Sequence, residues 1–182
     1  MADGLFTLAV VTPEERLVET TARAAVLRSS DGDLTVLDGH TPLITDVVSG
    51  EVRVEADEGA EVRLAVHGGF LQVETGTGVA AGDGGPGDGG PGDGGPGDGE
   101  RGTRVTVLAG VAERAEQIDV PRAERARDEA TARVDELRAA TGRTGATAEA
   151  EEAPSTPEEV ELAQAEAALR RAELRLEVAA GA

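Results

Sequence analysis

The 182-residue chain sets 36 acidic side chains against 17 basic ones, a net charge of −19, and contains no Cys, Trp or Tyr, one Met and two Phe. So negative a field repels a phosphate backbone and argues against nucleic acid as a partner, and the lack of Cys removes disulfides, thiolate nucleophiles and thiolate-held zinc. Any core must be filled by Val, Leu, Ile and Ala, no apolar run reaches the ~18 residues that a membrane span takes, and the N-terminus MADGLFTLAVV carries no basic leader, so a cytoplasmic location is expected, with the membrane reached only through a partner.

Residues 1–80 alternate apolar and polar positions in short runs. Val52, Val54 and Ala56 are interleaved with Arg53 and Glu55, and Val62, Leu64 and Val66 with Arg63 and Ala65. Turn signals stand between runs: SSDGD at 29–33, LDGHTP at 37–42, SGE at 49–51 and DEGAE at 57–61. Closely spaced short strands with one apolar face predict an antiparallel β-sandwich or barrel.

From Gly82 to Pro96 the sequence GDGGP occurs three times in tandem, and a partial fourth copy ends at Gly99. Such a segment has no apolar residue with which to offset its ordering entropy, so disorder is the expectation. The recurring Asp residues do not argue for calcium, because known Gly/Asp repeats that bind it also carry an apolar residue in each turn. RVTVLA at 104–109 resumes the strand pattern. The repeat therefore reads as an expanded hairpin loop spanning 82–102, and the β domain as residues 1–110.

Residues 111–182 change period. Asp119 is a candidate N-cap, and Pro121 falls in a first turn, where its missing N–H costs nothing. Ala123, Ala126, Ala130, Val134 and Leu137 mark one helical face, and Gly142 suits the exit. After a polar loop, Thr156-Pro157-Glu158-Glu159 forms a capping box ahead of a second helix with the seam Leu162, Ala165, Leu169, Ala172, Leu176 and Ala179. Ala-rich stripes bury little area, so this α-helical hairpin should dock weakly and be able to leave its dock.

The stretch LTVLDGHTPLITDVVSGEVRV at 34–54, centred on Gly39, His40, Pro42 and Leu43, resembles the epsilon subunit of bacterial F-type ATP synthases. VHGGFLQV at 66–73 is similar to that family's Gly-Gly hairpin, and VTVLAGVAERAEQID at 105–119 to its following strand and acidic run. The elements occur in the family's order over nearly the whole chain, interrupted by the GDGGP insertion and a longer inter-helix loop. The resemblance implies a non-catalytic rotor subunit at the cytoplasmic face of the bacterial plasma membrane, peripheral and reaching it only through the c-subunit ring. Its implied partners are the gamma subunit, the c ring and the alpha and beta catalytic subunits. No catalytic or metal site and no obligatory cofactor are implied.

Family positions facing the c ring or gamma correspond to Asp31, Asp33 and His40, although Gly39-His40-Thr41-Pro42 reads first as a tight turn. The hairpin of such subunits inhibits ATP hydrolysis when extended, and in some members ATP bound to the folded hairpin holds it down as a regulatory ligand. The corresponding motif here is Ile118-Asp119-Val120-Pro121-Arg122-Ala123, with Glu113 upstream and Arg171 and Arg175 on the second helix. A further basic family position is Glu129 in this chain, with Arg125 and Arg127 nearby.

The helical spacing itself says something about those arginines. Arg170 has Glu166 and Glu173 as neighbours and reads as locally paired, whereas Arg171 and Arg175 have no acidic residue three or four positions away and repel one another. An external anion would relieve them, either a nucleotide phosphate or an acidic partner surface. Three readings stay open: an inhibitory arm, an ATP sensor, and a stand-alone sandwich adaptor with a coiled hairpin. No arrangement of nucleophile, base and phosphate loop argues for an autonomous enzyme.

Overall fold

The computed structural model describes residues 4–57, 59–76, 102–141 and 156–181. Seven strands come first: β1 (Phe6–Val11), β2 (Arg16–Ser29), β3 (Gly32–Leu37), β4 (Leu43–Ala56), β5 (Glu61–Gly76), β6 (Gly102–Ala109) and β7 (Ala112–Arg114). A single 3-10 turn at Ala115–Gln117 leads into helices α1 (Val120–Thr141) and α2 (Pro157–Ala180). The predicted β-sandwich and helical hairpin are both present. The GDGGP repeats, with the disorder expected of them, and the expected Gly142 exit lie outside the described residues. β5 and β6 pair antiparallel up to Gly76↔Gly102.

The strand order is β1-β6-β5-β4-β2-β3, and β1 also pairs with β2, which closes five strands into a flattened barrel. All pairings are antiparallel except β1 with β6, which run parallel. Phe6, Leu8 and Val10 alternate inward from β1 and join Val18, Leu27, Val36, Val52, Leu64, Leu71, Val105 and Val107 in the principal core. β7 pairs with the middle of β5 through Leu64↔Arg114 and Val66↔Ala112, so the sheet continues past residue 110.

Two predicted turns are not turns. SGE at 49–51 lies inside β4, and Gly68-Gly69 inside β5, directly across the ladder from it: Ser49 pairs with His67 and Val47 with Gly69. The reason is visible in the burial pattern. Val47 is buried before the SGE stretch and Val52 and Val54 after it, so the inward parity changes from odd to even. In β5 it changes from Leu64 and Val66 to Leu71 and Val73. β2 does the same between Ala22 and Ala25, where a bulge interrupts its pairing with β4. These bends let one long strand serve both layers of the sandwich.

Gly69 has a second constraint. A Cβ there would lie 2.1 Å from the Leu108 carbonyl oxygen, so only glycine fits the close approach of β5 to β6.

In the hairpin, Val134 and Leu137 of α1 pack on Leu162, Ala165 and Leu169 of α2. The N-terminal caps of both helices follow the sequence. Asp119 Oδ1 accepts the Arg122 backbone N–H at 3.0 Å, and Thr156 and Glu159 form the reciprocal capping box. Ion pairs also cross between the helices, Arg133–Glu161 at 2.7 Å and Arg138–Glu166 at 2.8 Å. From the sequence Arg170 reads as paired with Glu166 and Glu173 along its own helix, and neither pair forms among the described residues. Glu166 instead serves Arg138, because the antiparallel partner presents its guanidinium at the seam edge.

A second apolar face of α2 docks the hairpin. Leu174 and Val178 cover Ala65 of β5 together with Ala115 and Ile118, and Ala179 packs at the edge. Only Ala179 of the α2 residues in this patch belongs to the seam read from the sequence.

Candidate functional site

Where the hairpin meets the sheet, a cleft of about 350 Å³ is lined by Glu113, Gln117, Ile118, Asp119, Arg122, Ala123, Ala126 and Arg175. Each wall has a local cause. Glu113 projects from β7, whose pairing to β5 fixes it. Ile118 is buried where the 3-10 turn ends, and its backbone N–H donates to the Ala115 carbonyl, which points the chain into α1. Asp119 caps α1 and so sets Arg122 in the first turn. Arg175 reaches across from α2. The volume lies within the range of small-molecule sites.

Five of the six residues implied as ATP contacts therefore share one cleft: Glu113, Ile118, Asp119, Arg122 and Arg175. The sixth, Arg171, is exposed one helical turn before Arg175 and does not line it. Gln117 does, and no sequence signal singled it out, because it depends on how the short 3-10 turn is aimed. Glu129 lies exposed on α1, outside the lining.

The expectation that Arg175 lacks an anion is corrected. Arg175 Nε donates to Glu113 Oε2 at 2.9 Å and Nη2 to Oε1 at 2.5 Å, a two-pronged pair across 62 residues of sequence. Helical spacing could not reveal it, since the partner belongs to the sheet. Arg171 has no ion pair or hydrogen bond among the described residues, so the like-charge argument survives for it alone. Arg122 is exposed, and its guanidinium likewise has no such partner among them.

His67, two residues along β5 from Ala65, sits at the edge of this region. Both ring nitrogens are buried without a hydrogen-bond partner among the described residues. Burial pushes its pKa below the usual imidazole value, Arg175 and then Arg171 push the same way, and Glu113 opposes them.

The candidates for rotor contacts lie elsewhere and apart. Asp31 occupies the tight turn between β2 and β3, and Asp33 is the second residue of β3, where it pairs loosely with Arg28 at 3.4 Å. His40 follows the other end of β3, roughly 20 Å away at ~3.3 Å per residue. Its backbone N–H donates to the Leu37 carbonyl and its Nδ1 lies 2.8 Å from the Thr41 carbonyl oxygen, so the ring belongs to the turn. Thr103 fastens that turn to β6, accepting the Gly39 N–H at 2.7 Å and donating to Asp38 Oδ1 at 2.9 Å.

At the opposite end, Asp46 braces the Asp31 turn. Its carboxylate accepts the Ser30 hydroxyl at 2.7 Å and the Ser30 N–H at 3.2 Å. The hydroxyl bond is the main cause of its pKa lying below the ordinary carboxylate value. Among the described residues no cluster of His, Asp and Glu could hold a metal, and no helix is long and apolar enough to cross a membrane.

Residues 5–79 match the family described as ATP synthase, Delta/Epsilon chain, beta-sandwich domain. The ATP synthase epsilon chain of Desulforudis audaxviator is 35% identical over 134 residues, covering 74% of this chain and 77% of the relative. That of Moorella thermoacetica is 34% identical over 172 residues, 94% of each chain. Among solved structures, a chain of the mitochondrial ATP synthase of Euglena gracilis superposes with a TM-score of 0.61 at 21% identity, covering 99% of this chain and 86% of that one; at this identity the likeness concerns the fold alone.

Proposed function

The chain belongs to the ATP synthase epsilon chain family, and from that premise we propose that it is a non-catalytic rotor subunit whose docked hairpin is a regulatory element. The sandwich would join the gamma subunit to the c-subunit ring and so help carry rotation between proton flow and ATP synthesis. That assignment makes it peripheral at the cytoplasmic face of a bacterial plasma membrane. The Asp31–Asp33 end of β3, braced by Asp46, is the candidate c-ring surface.

For the hairpin, the cleft favours a nucleotide sensor. The observation that carries this reading is the convergence of Arg122, Asp119 and the Glu113–Arg175 pair on one concave site at the hairpin's dock. ATP would engage the exposed Arg122 guanidinium and compete with Glu113 for Arg175, holding α1, α2 and the sheet together. Arg171, exposed outside the cleft, suits the alternative role of meeting an acidic surface of a catalytic subunit when the hairpin extends.

Calorimetric titration of the full chain with ATP tests the sensor. Heat of binding that disappears in Arg122→Ala supports it, and no heat at millimolar ATP leaves only the inhibitory arm. Retention of gamma from a mixture of separately expressed rotor subunits tests the rotor assignment. A stable monomer that retains none would favour the stand-alone adaptor.

A further inference from the structure

The helix-facing side of β5 is a row of alternate residues. The Arg63 guanidinium donates to the Gly181 carbonyl beyond the end of α2, Ala65 lies under Leu174 and Val178, and His67 comes next. α2 therefore runs antiparallel to β5, and its Arg171–Arg175 turn falls at the level of His67.

The charged groups about this imidazole are few. From α2 come Arg171 and Arg175, and from β7 comes Glu113. Across the ladder on β4 stands Ser49, which is uncharged. The single carboxylate among them is already engaged by both of its oxygens with Arg175. Among the described residues neither ring nitrogen has an acceptor, and both nitrogens are shielded from water. A neutral imidazole is tolerated there, but an imidazolium would be a buried cation with two unsatisfied donors beside two arginines.

We infer that His67 is a proton-operated release for the hairpin, its protonation expelling α2 from the sheet. Undocking exposes the ring to water and separates it from the arginines, so the undocked form binds the proton more readily. The direction follows from linkage. The docked imidazole titrates below the ordinary value of about 6.5, so docking is fully favoured above that pH and weakens as pH falls toward the docked value. Within that window the docking equilibrium shifts by up to about tenfold per pH unit. The inference rests on the observed dock and holds whether or not the neighbouring cleft takes ATP.

The absence of Cys makes the test direct. Dyes at Thr35→Cys on β3 and Ala163→Cys on α2, both exposed positions, report docking by energy transfer in the full chain. Between pH 8 and 5.5, without nucleotide and at fixed ionic strength, the docked fraction should fall. It should stay constant in His67→Asn and fall as in the parent in His40→Asn, which removes the only other histidine. A flat profile in the parent, or an undiminished response in His67→Asn, overturns the inference. Should His67→Asn fail to dock at pH 8, the proton titration of the His67 ring in the parent decides. A midpoint at or above 6.5 in the docked form overturns the release, and one below it upholds it.

Discussion

Arg175 on α2 and Glu113 on β7 close on each other through two parallel hydrogen bonds, at 2.9 and 2.5 Å. Their side chains remain 29% and 34% exposed, so solvent screens the pair without abolishing it. One contact thus fixes the hairpin to the sheet and also occupies the cation that an incoming phosphate would need.

A double-mutant cycle between Glu113→Gln and Arg175→Gln should return a coupling of about 1 kcal/mol, the scale of a well-formed, partly screened ion pair. Hydrogen exchange of α2 amides measures it. The protection of β5 amides should remain unchanged, because β5 is held by β4 along one side and by β7 and β6 along the other.

The apolar half of the dock should matter more. Leu174→Ala removes a side chain packed on Ala65 and Ile118, and the loss is expected to cost about 2 kcal/mol, the low end for a buried leucine. Most of that falls on the docked state, since Leu174 lies off the seam with α1. Exchange should accelerate in α2 far more than in the barrel.

Asp119 separates two roles. Asp119→Ala removes the acceptor for the Arg122 N–H and should lower hairpin stability by about 1 kcal/mol in thermal melting. Asp119→Asn keeps an acceptor at the cap and should melt within a few tenths of a kcal/mol of the parent. A loss of ATP binding in the Asn variant would then report charge at the cleft and not helix formation.

Gly69→Ala is expected to destabilise the sandwich by about 2 kcal/mol or more, because the new methyl group meets the Leu108 carbonyl and the strand cannot retreat without breaking its ladder. Denaturant unfolding of the variant against the parent gives the value.

Local pattern was enough to read the strand-rich first part, the N-terminal caps of both helices and the part of the α1–α2 seam formed by Val134, Leu137, Leu162, Ala165 and Leu169. Each of these is signalled by a pattern among residues a few positions apart, whatever the distance of the contacts it leads to. Period two, period three-to-four, a capping aspartate and a capping box are local physics, legible without a third dimension. The family motif likewise pointed to five residues that do line one cleft.

The other features depend on contacts between elements far apart along the chain. Ser49-Gly50 and Gly68-Gly69 look like turns one strand at a time and become bends only when they lie opposite one another across a ladder. Arg175 looks unpaired along its helix and finds Glu113 on a strand. His67 looks like an ordinary strand residue until α2 arrives above it with two arginines and, among the described residues, no acceptor for its ring. In each case the deciding partner is distant in sequence, and spacing along one element carries no information about what another element brings to it.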